Sequence, residues 1–278
     1  MIEELIEYLE YPFVVNALAA GVLISMCAAL IGVPLVLKRL SFAGDGLSHV
    51  AFGAMAVAGA LNFSDSLPLM LGVTVASSLM IFFTGRGGRS ASGDAILAML
   101  SVAAMAAGYL IMNLHPSSSN ISGDVCTTLF GSISILTLTD EDMRLCAGLS
   151  VAVAGTWCLL YNRLFDTVFD EDFARASGTN TTFVNAFAAV VIAVVIVISM
   201  RLVGTLLVSA LLVFPAVSAM RVVRSYRAVT LLSALIGTVC TVAGILAAIL
   251  FETPVGATIV AANAVAFAFF FTVGLVLP

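Results

Sequence analysis

Along this chain, apolar runs of about twenty residues alternate with short polar breaks, the pattern of helices crossing a bilayer. The runs cover roughly 13–37, 43–62, 67–84, 94–113, 142–161, 181–200, 202–220, 228–250 and 254–276. Lipid offers no partners to backbone N–H and C=O groups, so each run must close its hydrogen bonds within itself, as a helix. The uninterrupted apolar stretches do not resemble the alternating segments of about ten residues that build a membrane barrel. Gly85-Arg86-Gly87-Gly88-Arg89-Ser90 reads as a polar turn. From His115 to Thr139 the only apolar run, Val125 to Leu138, is too short to cross comfortably and reads as an interfacial or re-entrant helix. The pattern therefore predicts an all-α integral membrane protein, a polytopic helical bundle of about nine spans within a range of eight to ten. Residues 1–278 form one transmembrane domain, and 162–180 form its longest polar cytoplasmic loop.

Composition agrees. Hydrophobic residues make up 62% of the chain, charged residues 10%, and mean hydropathy is +1.17. Soluble domains carry about 25% charged residues, which excludes a soluble globular enzyme. Met1 to Glu10 is acidic and amphipathic without a basic leading region, so it does not read as a signal peptide and is expected to be retained. The basic residues set the orientation. With nine spans and the N-terminus outside, Lys38, Arg39, Arg86, Arg89, Arg163, Arg175, Arg221, Arg224 and Arg227 fall on the cytoplasmic side, leaving Arg144 and Arg201 outside.

Two residue types narrow the chemistry. Cys27, Cys126, Cys146, Cys158 and Cys240 are scattered without metal-type spacing and read as small core residues rather than a disulfide framework. Lys38 is the sole lysine and follows no glycine-rich phosphate loop. The chain thus lacks the Gly-Lys-Ser/Thr needed to hold ATP in that way, and any ATP-driven activity must come from a partner.

The stretch Gly44-Asp45-Gly46-Leu47-Ser48-His49-Val50-Ala51-Phe52-Gly53 places a carboxylate and an imidazole four residues apart. On a helix those two share one face. Ionisable groups at membrane depth are costly and mark function by default, and oxygen plus nitrogen suits a divalent transition metal. The competing readings are an N-cap for Asp45 and a packed, carbonyl-bonded histidine for His49. Asp45 falls near the cytoplasmic end of its span unless the segment before it enters the membrane non-helically. Asn185, Ser209 and Ser218 read as interhelical hydrogen-bonders, and Met99, Met105 and Met112 as core. With neither Cys nor Met assigned to the Asp–His pair, a copper(I) route is disfavoured. His115 reads as an outer loop residue, and Asp140-Glu141-Asp142 as an acidic helix start. In the 162–180 loop, Asp170 is placed to cap a short helix with Glu171 and Asp172 in its first turn, and Gly178 to end it. That helix is either a solvated connector or a docking element for a cytoplasmic partner.

Four stretches resemble the membrane subunits of ABC importers for zinc, manganese and iron. They are Val36-Leu37-Lys38-Arg39-Leu40-Ser41-Phe42-Ala43-Gly44-Asp45-Gly46-Leu47-Ser48-His49, Leu129-Phe130-Gly131, the run Phe169 to Gly178, and Leu202 to Ala216. Gly46 departs from the alanine often found in the family at that position. The resemblance implies a type II ABC importer-like fold and a transmembrane permease for divalent metal ions, with alternating access driven by a separate ATPase. It implies that Asp45 and His49 contact the metal and that Asp170, Glu171, Ala174 and Gly178 belong to the helix that seats in the ATPase. Implied partners are a cytoplasmic ABC ATPase, an extracellular or periplasmic metal-binding protein, a second copy of the chain and the lipid bilayer, with no nucleic acid. The implied location is a prokaryotic cytoplasmic membrane. No permanently bound cofactor is expected, only the transported ion, and the chain is not itself an enzyme. The alternatives are a secondary metal/proton transporter, with the pair as a proton relay, and an ABC permease for a metal chelate.

Overall fold

The computed structural model describes residues 11–63, 65–84, 93–114 and 138–276. The Met1–Glu10 stretch, the 85–90 turn, His115, Cys126, Leu129-Phe130-Gly131 and all but the end of the expected interfacial segment lie outside the described residues. The described chain is helical: α1 (Pro12–Leu37), α2 (Ala43–Ala60), α3 (Leu67–Thr84), α4 (Gly93–Leu114), α5 (Asp140–Phe169), α6 (Glu171–Ala176), α7 (Thr181–Val203), α8 (Thr205–Met220), α9 (Tyr226–Phe251) and α10 (Val255–Val276). Six of these, α1, α4, α5, α7, α9 and α10, are long and apolar enough to cross a membrane; Leu67–Phe83 and Thr205–Met220 are shorter apolar helices.

Local chemistry sets the boundaries. Pro12 opens α1, where its missing N–H costs nothing. Thr139 caps α5 through a reciprocal box with Asp142, which gives the acidic cluster 140–142 its helix-starting role. Asn180 and Ser225 accept the Phe183 and Ala228 amides at the starts of α7 and α9. Gly204, at φ 90°, separates α7 from α8 in a conformation only glycine adopts cheaply. One boundary differs from expectation: α5 continues past residue 161 to Phe169, so the first part of the expected 162–180 loop, residues 162–169, is a continuation of that helix. An aromatic cluster holds this extension, with Phe165 and Phe169 packing on Tyr226 of α9 at centroid distances of 5.5 and 6.2 Å.

Glycines let the inner helices approach closely, since lipid supplies no hydrophobic drive to force them together. A Cβ on Gly32 of α1 would stand 2.1 Å from the Leu212 carbonyl oxygen of α8, and one on Gly53 of α2 would stand 2.8 Å from that of Ala104 in α4. Around these crossings Phe52, Leu97, Ile196, Leu211, Leu212 and Ile245 form the fully buried core.

Contacts also sort the two ends of the bundle. At one end the Lys38 ammonium donates to Asn185 of α7 and lies 6.0 Å from the Phe82 ring of α3. The same end carries α6 after α5, the Tyr226 cluster, and Arg221 against Phe271 at 4.8 Å. At the other end Arg201 of α7 pairs with Asp65 at 3.6 Å.

Candidate functional site

Asp45 does not cap α2. The N-cap position is Phe42, without a side-chain cap, and Asp45 lies inside the first turn, beside the positive end of the dipole. The Ser48 hydroxyl donates to the Asp45 carbonyl at 2.8 Å, tying the turn to itself. One turn on, His49 Nε2 stands 3.4 Å from Asp45 Oδ1. Two donors each about 2.1 Å from one ion and 3.4 Å from each other subtend about 110°. That is close to the tetrahedral angle, so a single ion fits between them as they stand. His49 Nδ1 is buried and has no hydrogen-bond partner among the described residues, so the structure does not hold the packed, carbonyl-bonded histidine that competes with a ligand role.

The depth of the pair is set by the segment that precedes it. Residues 38–42 form turns rather than helix, Arg39 takes a left-handed φ of 59°, and the Leu40 amide returns to the Leu35 carbonyl. The chain thereby folds back into the bundle. Gly44 comes against Leu212, the residue that also meets Gly32 of α1. Gly32 lies six residues, about 9 Å of helix, inward from Lys38. Asp45 therefore starts well inside the bundle, through a non-helical entry.

The pair faces a groove of about 750 Å³ whose other wall is α4. Gly46 packs on Leu97 and Gly53 on Ala104; both offsets are 51 (97 − 46 and 104 − 53), so the two helices run parallel in fixed register. Ser101, Met105, Tyr109 and Asn113, spaced by four, line the groove from α4. Sequence reading missed this wall. Met105 lines the groove instead of packing in the core, whereas Met112 does pack against the Phe52 cluster and Met99 faces outward. Met105 thus lines the same groove as the Asp–His pair. No cluster of three or more His, Cys, Asp or Glu that could hold a metal occurs among the described residues, so one chain offers an incomplete set.

Of the other candidates, Asn185 bonds between helices as expected, while Ser209 and Ser218 bond to carbonyls of their own helix. In α6, Asp170 accepts the Phe173 amide at 2.9 Å and Glu171 pairs with Arg175 at 3.2 Å. Gly178 ends the turn at φ 86°. Ala174 is fully buried and faces inward, whereas Phe173, which sequence reading passed over, is 66% exposed.

Comparison with known proteins places this architecture. The model of the ABC 3 transport family matches residues 10–274. The chain is 27% identical over 268 residues to the manganese import system permease protein ScaB of Streptococcus gordonii, covering 96% of this chain and 94% of that one. It is 32% identical over 218 residues to a probable metal transport system membrane protein of Treponema pallidum, covering 77% of each. A chain of the solved structure of PsaBC from Streptococcus pneumoniae in complex with Fab matches with a TM-score of 0.84 at 27% identity, covering 98% of this chain and 95% of that one. With the match running almost from end to end over a helical membrane bundle, this chain belongs to the ABC 3 transport family.

Proposed function

We propose that this chain is the membrane permease subunit of an ATP-driven importer of a divalent transition-metal ion, zinc, manganese or iron, and that Asp45 and His49 hold the ion in passage. The observation that carries the reading is the pair itself: a carboxylate and an imidazole at the spacing of two ligands of one ion, inside the bundle and open to a groove. The manganese importers among its relatives support the cargo class. A carboxylate and an imidazole accept all three metals, so they set the class and not the ion.

Two protein donors leave the ion's shell unfilled, and a transport site gains from that, since the ion must leave again. Water fills the remaining positions, or a second copy of the chain brings a second Asp–His pair to the same ion. The chain crosses the membrane nine times, with α6 at the cytoplasmic end. The clustering of Lys38, Arg175, Arg221, Arg224 and Arg227 with α6, opposite Arg201, supports that orientation. A separate ABC ATPase takes α6 as its docking helix, with Phe173 as the exposed knob. ATP binding then moves α6 with α5 and α7, closing one side of the site and opening the other. An external metal-binding protein delivers the ion.

The test is ATP-dependent uptake of labelled zinc and manganese by the assembled transporter, wild type against Asp45→Asn and His49→Ala, with assembly checked by co-purification. The reading expects uptake to collapse while assembly persists. Uptake unchanged in both variants would overturn the role of the pair. A wild type that moves no free metal would return the cargo to a chelate.

A further inference from the structure

The α4 wall carries chemistry that the Asp–His pair does not account for. With a register offset of 51, His49 stands level with residue 100 and Met105 level with residue 54 of α2. Met105 is therefore about 7 Å further along the groove by its Cα. Side chains of both parallel helices lean toward their N-termini, so the sulfur keeps this offset from the imidazole, and methionine, long and unbranched, reaches into the groove one step beyond the pair. Ala104 and Gly108, which flank Met105 on α4, pack directly on Gly53 of α2, fixing the backbone on both sides of it. Along the same face, Ser101 to Asn113 spans about 18 Å, so an ion moving along α4 between Asn113 and the pair passes Met105.

We propose that Met105 is a specificity-determining donor, its thioether meeting the ion above Asp45 and His49 and favouring softer divalent ions over manganese. This rests on the reading of Asp45 and His49 as the ion's contacts. Carboxylate and imidazole discriminate weakly among first-row divalent ions, whereas a thioether is a soft ligand that manganese accepts poorly. One sulfur beside the few oxygen and nitrogen donors of a mostly apolar groove tips the order toward zinc and, most strongly, toward cadmium, the softest convenient probe.

The experiment uses the assembled transporter in detergent and compares equilibrium binding of radioactive cadmium and manganese to wild type, Met105→Leu and Met105→Gln. Leucine conserves volume, so its packing cost is small, and glutamine keeps the chain length without sulfur. Both variants are expected to lose cadmium affinity severalfold with manganese affinity unchanged, and X-ray absorption of the cadmium-loaded wild type to show a sulfur neighbour absent from both. An unaltered cadmium-to-manganese ratio in both variants, or no sulfur neighbour in the wild type, overturns the proposal. Asp45→Asn and His49→Ala run in parallel separate the two layers. If they abolish binding of both ions while the Met105 variants leave the ratio intact, only the methionine inference fails. If they leave binding intact, the underlying site assignment fails with it.

Discussion

Substituting Gly32 by alanine tests the α1–α8 crossing on which the depth of the site depends. The added Cβ would lie 2.1 Å from the Leu212 carbonyl oxygen, 3.0 Å from its carbonyl carbon and 3.2 Å from its Cα. Real Cβ atoms essentially never come within 3.0 Å, so the two backbones must part by at least 0.9 Å (3.0 − 2.1). No side-chain rotation relieves a clash between backbones. Overpacking a core costs about 1–3 kcal/mol, and this case belongs at the upper end. Gly44→Ala is the matched control: its Cβ would meet the Leu212 Cδ1 atom at 2.6 Å, the far end of a flexible side chain. Rotation of Leu212 absorbs that contact, and alanine gains up to about 1 kcal/mol of helix propensity over glycine. Unfolding in mixed micelles, followed by emission of the sole tryptophan, Trp157, reads both. Gly32→Ala should shift the unfolding equilibrium by about a hundredfold, from about 3 kcal/mol, and Gly44→Ala by less than about tenfold. Because Gly44 rests on the same Leu212, parting α1 from α8 also moves the start of α2, so uptake by surviving Gly32→Ala protein should fall. A Gly32→Ala protein no less stable than Gly44→Ala would refute the reasoning.

Two further outcomes follow from individual contacts. Asp170→Ala removes the cap of a six-residue helix, worth about 1 kcal/mol, and should weaken co-purification of the ATPase while leaving metal binding intact; equal ATPase retention would show that α6 does not need its cap to dock. Lys38→Met strips the buried Asn185 carbonyl of a charged donor, a loss of about 1.5–3 kcal/mol, and should lower the unfolding midpoint, with Lys38→Arg intermediate; a curve coinciding with wild type would show that the contact holds nothing.

The all-helical membrane architecture was legible because a bilayer leaves a chain few options: an apolar run long enough to cross must be a helix, and its polar breaks mark the ends. The end of α5 was not. Arg163 and Asp166 read as loop residues by polarity, but polarity reports contact with water and not the end of a helix. What carries α5 on to Phe169 is the set of ring contacts between Phe165, Phe169 and Tyr226, residues about sixty positions apart in sequence. Ala174 and Phe173 show the same limit at smaller scale. A six-residue helix has too few turns for its pattern to reveal which face it turns inward, and only the folded chain settles that Ala174 goes in and Phe173 out.

In the site, what sequence spacing could express was read, and what depends on a second helix was not. Asp45 and His49 are four apart on one helix, so their meeting follows from helix geometry alone. The depth of the pair depends on the turn at 38–42, where Arg39 adopts a positive φ that no arginine advertises. The α4 wall is a stripe at spacing four, but an apolar membrane helix offers several such stripes, and Met99, Met105 and Met112 make a competing one at spacings of six and seven. Choosing between them requires knowing which side of α4 meets α2. That information sits in Gly46 and Gly53, whose bare backbones admit Leu97 and Ala104 and so turn Ser101, Met105, Tyr109 and Asn113 toward the groove. The glycines look like weak helix formers in sequence. In the folded chain they set the register that brings a sulfur to the same groove as the carboxylate and the imidazole.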